Sequence, residues 1–398
     1  MNNSFNPQSI ADALLDQSRR DDFQGHDPFD ALNSVLFDRL GGNRLSFARI
    51  AWLQLHKRSP VNFRTIVGVP KRRNPKGVAL IILGLLERYR VSQCSDELDE
   101  AIVLGDWLLT QSVDRREWGH YAWGYHFDWA ARAFYVPRGK PNAITTCYVS
   151  AALHSLGCLT GFPRFTDASS DAGLFLDSLY VSAMGGGYYA YIPGENAFVH
   201  NASLWSAALV ARTATQVGDD RMRRRALGVA RQSVSMQRHD GAWTYGTRAH
   251  HAFIDGFHTG YNLEALDLLQ KTLKTDEFSD AIDKGMDYYR RQFFLADGTV
   301  KYYSDRIWPL DTHSVAQAVV TLIKVSGTKE DVGLARLVLS RAHESLYLMR
   351  EQRFVYQKGR WLKNRINYLR WTQAWAFYAL SLYAGHTSDG SGESDEAY

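Results

Sequence analysis

The stretch Asp240-Gly241-Ala242-Trp243-Thr244-Tyr245 decides the fold, because turns of the same kind recur along the chain. Gly185-Gly186-Gly187-Tyr188-Tyr189 precedes it and Asp297-Gly298-Thr299-Val300-Lys301-Tyr302-Tyr303 follows it, at spacings of about 55 residues. Arg353-Phe354-Val355-Tyr356 is a fourth, more divergent copy. Each turn leads into an apolar helix, predicted from Ala202, Thr259, Ser314 and Trp371 in turn. Between them lie amphipathic segments near 96–111, 168–184, 219–237, 277–292 and 329–350, whose apolar residues fall three and four apart. With 44–56 paired to 76–89 at the start, the chain reads as six helical hairpins. The pattern predicts an all-α fold, a single (α/α)6 barrel or toroid spanning 1–385, with short Gly-aromatic turns at one rim. The polar remainder, 386–398, has no apolar period and is predicted to be a disordered tail.

Composition narrows the class. Among 398 residues, 45% hydrophobic and 22% charged are ordinary globular values, but 11 Trp and 21 Tyr are many and suit either a core or a stacking surface. A net charge of +4 suits an anionic substrate and is too small to argue for nucleic acid. Cys94, Cys147 and Cys158 are odd in number and lack metal-type spacing, which predicts reduced thiols and no metal. Residues 1–21 carry no basic start and apolar run, and no stretch reaches the roughly 18 apolar residues of a membrane span. The expectation is a cytoplasmic protein without a membrane span. Phosphate-cradling, nucleophile-elbow and zincin motifs are missing, and no cofactor is expected.

The rim turns place polar residues at the starts of the inner helices, where their side chains converge on a central cleft. The densest group is Asp255, His258, Tyr261 and Asn262, the last three sharing one helical face. A histidine and a phenol can remove and return a proton, and an Asn can bind a carboxylate or oxyanion. Neighbouring repeats offer His200 and Asn201, then Asp311 and His313, then Arg365, Asn367 and Arg370, with Trp243 in the turn itself. The plain structural alternative is that such groups satisfy rim backbone, as buried polar groups usually do. A second segment holds Trp123, Tyr125, His126, Asp128 and Trp129, suited to stacking on sugar faces or, equally, to plugging the barrel end. Hydrolysis would need two carboxylates flanking one bond, from Asp128, Glu195, Asp255 and Asp311. A lyase or C5-epimerase needs a His or Tyr base and an Asn or Arg for a uronate carboxylate, which this inventory fits better.

Three ordered segments carry a resemblance over nearly the whole chain: Asp27-Pro28-Phe29-Asp30-Ala31-Leu32-Asn33-Ser34, Trp123-Gly124-Tyr125-His126-Phe127-Asp128-Trp129 with Val136-Pro137-Arg138-Gly139-Lys140-Pro141, and Asp255-Gly256-Phe257-His258-Thr259-Gly260-Tyr261. The chain resembles six-hairpin glycosidase-like proteins of bacterial polysaccharide-biosynthesis loci. That resemblance implies an (α/α) barrel and a role in making or modifying a surface polysaccharide. It implies an oligosaccharide or polysaccharide precursor as ligand, anionic ones included, and polysaccharide-synthesis proteins as partners. The leading expectation is lyase or epimerase chemistry with His258, Tyr261, Asp255, Asp128 and His313 as the catalytic set. A sugar 2-epimerase using His258 and His313 is one alternative; a toroid that only binds glycan or a protein partner is the other.

Overall fold

The computed structural model describes residues 5–130, 135–183 and 186–388. Gly185 of the first rim turn and the polar tail beyond residue 388 lie outside the described residues. Six inner helices, Pro75–Ser92, Ala143–Thr160, His200–Val217, Gly256–Leu273, Thr312–Thr321 and Ala374–Ser388, form a closed ring in which each touches the next and the sixth returns to the first. A short π-helical turn, Leu369–Gln373, leads into the sixth, and that helix runs three residues past the predicted boundary at 385. Six outer helices, Pro7–Arg20, Ser95–Thr110, Pro163–Ser178, Asp220–Ser235, Ser279–Phe293 and Lys329–Leu346, surround them.

The two layers follow from two kinds of sequence. The third inner helix is buried without interruption from His200 to Ala214, as expected of a helix apolar on all sides. Its outer neighbour buries only Met222, Ala226, Val229, Ala230, Gln232 and Ser233, a single stripe. The second inner helix, Ala143–Thr160, is apolar enough by length and composition to cross a membrane, but 72% of it is buried inside the ring. Ring closure depends on close approach of the first and sixth inner helices: a Cβ on Gly84 would lie 2.5 Å from the Phe377 ring.

The repeated turn has a packing cause. Gly186, Gly241 and Gly298 all have positive φ, and a Cβ on them would meet the carbonyl oxygens of Gly228, Lys284 and Leu337 at 2.9, 2.2 and 2.7 Å. Each of those carbonyls belongs to the next outer helix, so only glycine lets the turn lie flat on that helix.

One hairpin differs from expectation. Residues 44–56 do not pair with 76–89 as the first outer layer; that place belongs to Pro7–Arg20, with Ile10, Ala11, Leu14, Leu15 and Ser18 buried against the ring. The helix Ser46–Arg58 instead lies over the rim against the turn Asp30–Asn33 and the strand Trp129–Ala130. It forms one wall of the cleft mouth.

Candidate active site

The second residue of every inner segment lines one cavity of about 440 Å3: Lys76, Ile144, Asn201, Phe257, His313 and Arg370. Four of these helices start behind a side-chain cap, Asn74, Asn142, Asp255 or Asp311, which takes up free backbone N–H groups. The cap fixes the first turn, and the residue two positions later projects to the ring axis. Below this tier, Tyr148, Trp205, Tyr261 and Trp375 pack ring to ring at 5.4–6.0 Å and close the floor. The cavity is therefore open at the rim only.

Two proton-handling groups face it. His258 donates its Nδ1–H to Asp255 Oδ2 at 2.7 Å, while Asp255 Oδ1 accepts the His258 backbone N–H at 2.9 Å. The carboxylate thus fixes the tautomer and leaves Nε2, on the opposite ring edge, free to accept a proton. The second group is a chain: Lys76 Nζ lies 3.0 Å from Tyr261 Oη, which lies 2.8 Å from His313 Nε2. Burial pushes the Tyr261 phenol well above its usual range, so it stays protonated and donates to His313. Burial, then the charges of Lys76 and Arg370, holds His313 well below the normal histidine range and neutral.

Lys76 is 3% exposed, and among the described residues no carboxylate lies within hydrogen-bonding reach of it. Its Nζ rests 3.9 Å from the centre of the Tyr148 ring. Burial, reinforced by Arg370, drives its pKa well below the usual lysine range. Arg370, in contrast, is held charged by a two-pronged pair with Asp27, at 2.5 and 2.8 Å. Asp30 grips Arg64 at 2.6 Å, and Arg64 in turn donates to the Asp27 and Pro28 carbonyls. The Asp27-Pro28-Phe29-Asp30 segment is thus the clamp that aims Arg370.

Of the residues expected from sequence, Asp255, His258, Tyr261, His313, Tyr125, Trp129, Asn201 and Arg370 line this cavity. The others do not, and each has another task. Trp123 and Trp243 donate their indole N–H to the carbonyls of Leu108 and Ser233, in the last turns of two outer helices, and so cap those helices. His200 meets Ser233 Oγ at 2.7 Å and His126 accepts from Asn74; burial pushes both down to about 4. Asp128 accepts the Arg138 backbone N–H and braces its own loop. Asp311 accepts from Gln357 and Trp371, positioning the indole that lines the cavity; burial raises it to about 6. Asn262 is buried beneath the lining, Arg365 pairs with Glu351, and Asn367 opens on a separate pocket. Tyr125, Phe127 and Trp129 line the cavity while His126 and Asp128 turn away, the two-residue alternation of an extended segment.

Sequence reasoning missed Lys76, Lys57, Tyr191, Tyr245, Phe257 and Trp371 as lining residues. For Lys76 and Phe257 the signal was the cap register, since they stand two residues after Asn74 and Asp255 as His313 does after Asp311. Among the described residues no group of three His, Cys, Asp or Glu is arranged to hold a metal ion.

No protein-family model and no curated protein sequence matches the chain. Solved structures do match. A sugar epimerase from a ruminal bacterium has a TM-score of 0.60 at 13% identity, covering 80% of this chain and 90% of its own. The unsaturated glucuronyl hydrolase of Bacillus sp. GL1, responsible for glycosaminoglycan degradation, gives 0.61 at 11% identity over 94% of both chains. A GH76 alpha-mannanase of Bacteroides thetaiotaomicron gives 0.60 at 11%, covering 79% of this chain and 86% of its own. The likeness shows the fold: the chain is an (α/α)6 toroid, and these neighbours are carbohydrate-processing enzymes.

Proposed function

We propose that this protein is a carbohydrate-active enzyme that moves a proton at the sugar carbon next to a carbonyl or carboxylate, as an epimerase or lyase does. The observation that carries the reading is the pair of proton stations on one cavity, His258 with Asp255 and Tyr261 with Lys76 and His313. His258 Nε2 takes the proton, and Asp255 steadies the imidazolium that results. The electron pair moves to the substrate oxygen, where the Arg370 cation stabilises the negative charge. Return of a proton to the other face from the Tyr261 hydroxyl, turned from His313 to the substrate and reprotonated through Lys76, gives an epimer; departure of a group from the neighbouring carbon, protonated by the same hydroxyl, gives an unsaturated product. Tyr125, Trp129 and Tyr245 supply aromatic faces for the ring.

Hydrolysis fits less well. Two carboxylates must flank the bond, yet among the described residues Asp255 is the one carboxylate that lines the cavity, and both its oxygens are engaged by His258. The sugar 2-epimerase reading shares the proton chemistry and draws support from His258 and His313 facing the same space. The resemblance to proteins of polysaccharide-biosynthesis loci supports a glycan precursor as the substrate. The test is incubation with neutral and uronate oligosaccharides in heavy water. Deuterium uptake without cleavage identifies an epimerase, and unsaturated-uronate absorbance a lyase. Product mass increased by water would overturn the proposal, and binding without any reaction would leave a glycan-binding toroid.

A further inference from the structure

Two further cavities lie in series with the central one. The first, about 360 Å3, shares Lys57, Tyr302 and Tyr303 with it. The second, about 370 Å3, is joined to the first through Pro60 and contains Lys71, Arg353 and Arg365. Together the two outer cavities are lined by five cations, Lys57, Arg58, Lys71, Arg353 and Arg365, and one acid, Asp21.

The end of this path is under-compensated. Asp21 is spent on Lys71 at 3.6 Å, and Arg365 pairs with Glu351 outside the pocket. Arg353 forms no ion pair among the described residues, and its Nη1 is buried without a hydrogen-bond partner. Burial acts against its charge; the nearby Glu351 favours it, but that carboxylate is already paired with Arg365, which opposes it, and the net shift is downward. A guanidinium in that state gains from an external anion, because an unpaired buried charge is costly and a carboxylate matches its fork. A free ion would satisfy Arg353 alone, but the continuity through Pro60 and Lys57 to a dead-end cavity favours a chain.

We propose that the protein binds an acidic polysaccharide by its end, with the terminal sugar in the central cavity and a sugar carboxylate several residues back held by Arg353 and Arg365. The inference rests on the reading of the central cavity as a sugar site. Tyr303 and Lys57 line both cavities and mark the junction at which the chain turns out of the cleft. Affinity then grows with chain length for acidic glycans and not for neutral ones.

The experiment is calorimetric titration of the full-length protein with galacturonate dimer, galacturonate hexamer and a neutral glucose hexamer, using wild type, Arg353→Gln and Arg365→Gln. The acidic hexamer is expected to bind wild type about ten-fold more tightly than the dimer, from one charged contact. Both variants lose that increment and keep the dimer affinity. Their fold is safe, since Arg353 has no ion pair to lose and Arg365 loses only an exposed one. A length increment that survives both substitutions overturns the proposal, as does an equal increment for the neutral hexamer. Dimer binding without a hexamer increment rejects the outer site and spares the central one. Absence of binding by all three oligomers rejects both.

Discussion

Replacing Lys76 with Met separates catalysis from stability. The amine makes one hydrogen bond, to Tyr261 Oη, and otherwise contacts the rings of Tyr148, Tyr261 and Trp375. Loss of that hydrogen bond costs about 1 kcal/mol. Against this, a desolvated amine repelled by Arg370 is removed, and a thioether beside aromatic rings contributes about 0.3–1.5 kcal/mol. The net change in folding free energy is expected to stay within about 1 kcal/mol, because no carboxylate is left unpaired. Turnover should fall by about 100- to 10,000-fold, the usual weight of a positioned acid–base group. Urea unfolding and solvent-deuterium exchange into the sugar, measured at one pH on both proteins, give the two quantities. A variant destabilised by about 3 kcal/mol or more with turnover intact would refute the reasoning and make Lys76 a packing residue.

Other substitutions probe the remaining parts. Asp255→Asn keeps the helix cap yet frees the His258 tautomer; turnover should fall about 100-fold or more with little change in melting temperature. Asp27→Asn leaves the buried Arg370 guanidinium poorly compensated and should cost about 3–5 kcal/mol in denaturant unfolding. Trp243→Phe removes the cap on an outer helix and should lower the melting temperature while leaving the affinity for substrate unchanged. His200 is 1% exposed and held near 4, whereas the unfolded chain protonates it near about 6.5. The unfolded state therefore takes up the proton first, so the stability is complete above about pH 6.5 and is lost as the pH falls toward 4, by roughly 3 kcal/mol. His200→Gln should flatten that part of the stability profile in denaturant titrations at successive pH values.

The architecture was legible because it is repeated. Gly186, Gly241 and Gly298 mark the same contact with a following outer helix, and a constraint met three times leaves a period in the sequence. The first hairpin was misassigned because its turn has no such glycine and a rim helix, Ser46–Arg58, intervenes before the inner helix Pro75–Ser92. Half of the site was legible for the same reason. His313 and Arg370 stood out as polar residues at inner-helix starts, but Lys76 follows Pro75 in a segment with no aromatic turn to align it. Trp123 and Trp243 misled because an indole that caps a helix and one that stacks on a sugar give the same letter. Only the partner of the N–H distinguishes them, and that partner, Leu108 or Ser233, is fixed by tertiary packing.

The ring also adds to the positive character of the cavity. Six inner segments begin at the same rim, so the positive ends of their backbone dipoles converge there. Asp27, Asp255 and Asp311 lie at that end, where carboxylates are favoured, but each is already engaged by Arg370, His258 or a helix start with Gln357 and Trp371. What remains toward the cavity is a positive field, in which burial and Arg370 oppose the charge of Lys76 and hold His313 neutral. Such a field stabilises charge that develops on a substrate oxygen more than it stabilises a neutral sugar, which is the condition for accelerating proton removal from carbon. A cationic oxocarbenium, the intermediate of glycoside cleavage, would be opposed by the same field. In this chain the positive lining is thus in keeping with the proton chemistry proposed above.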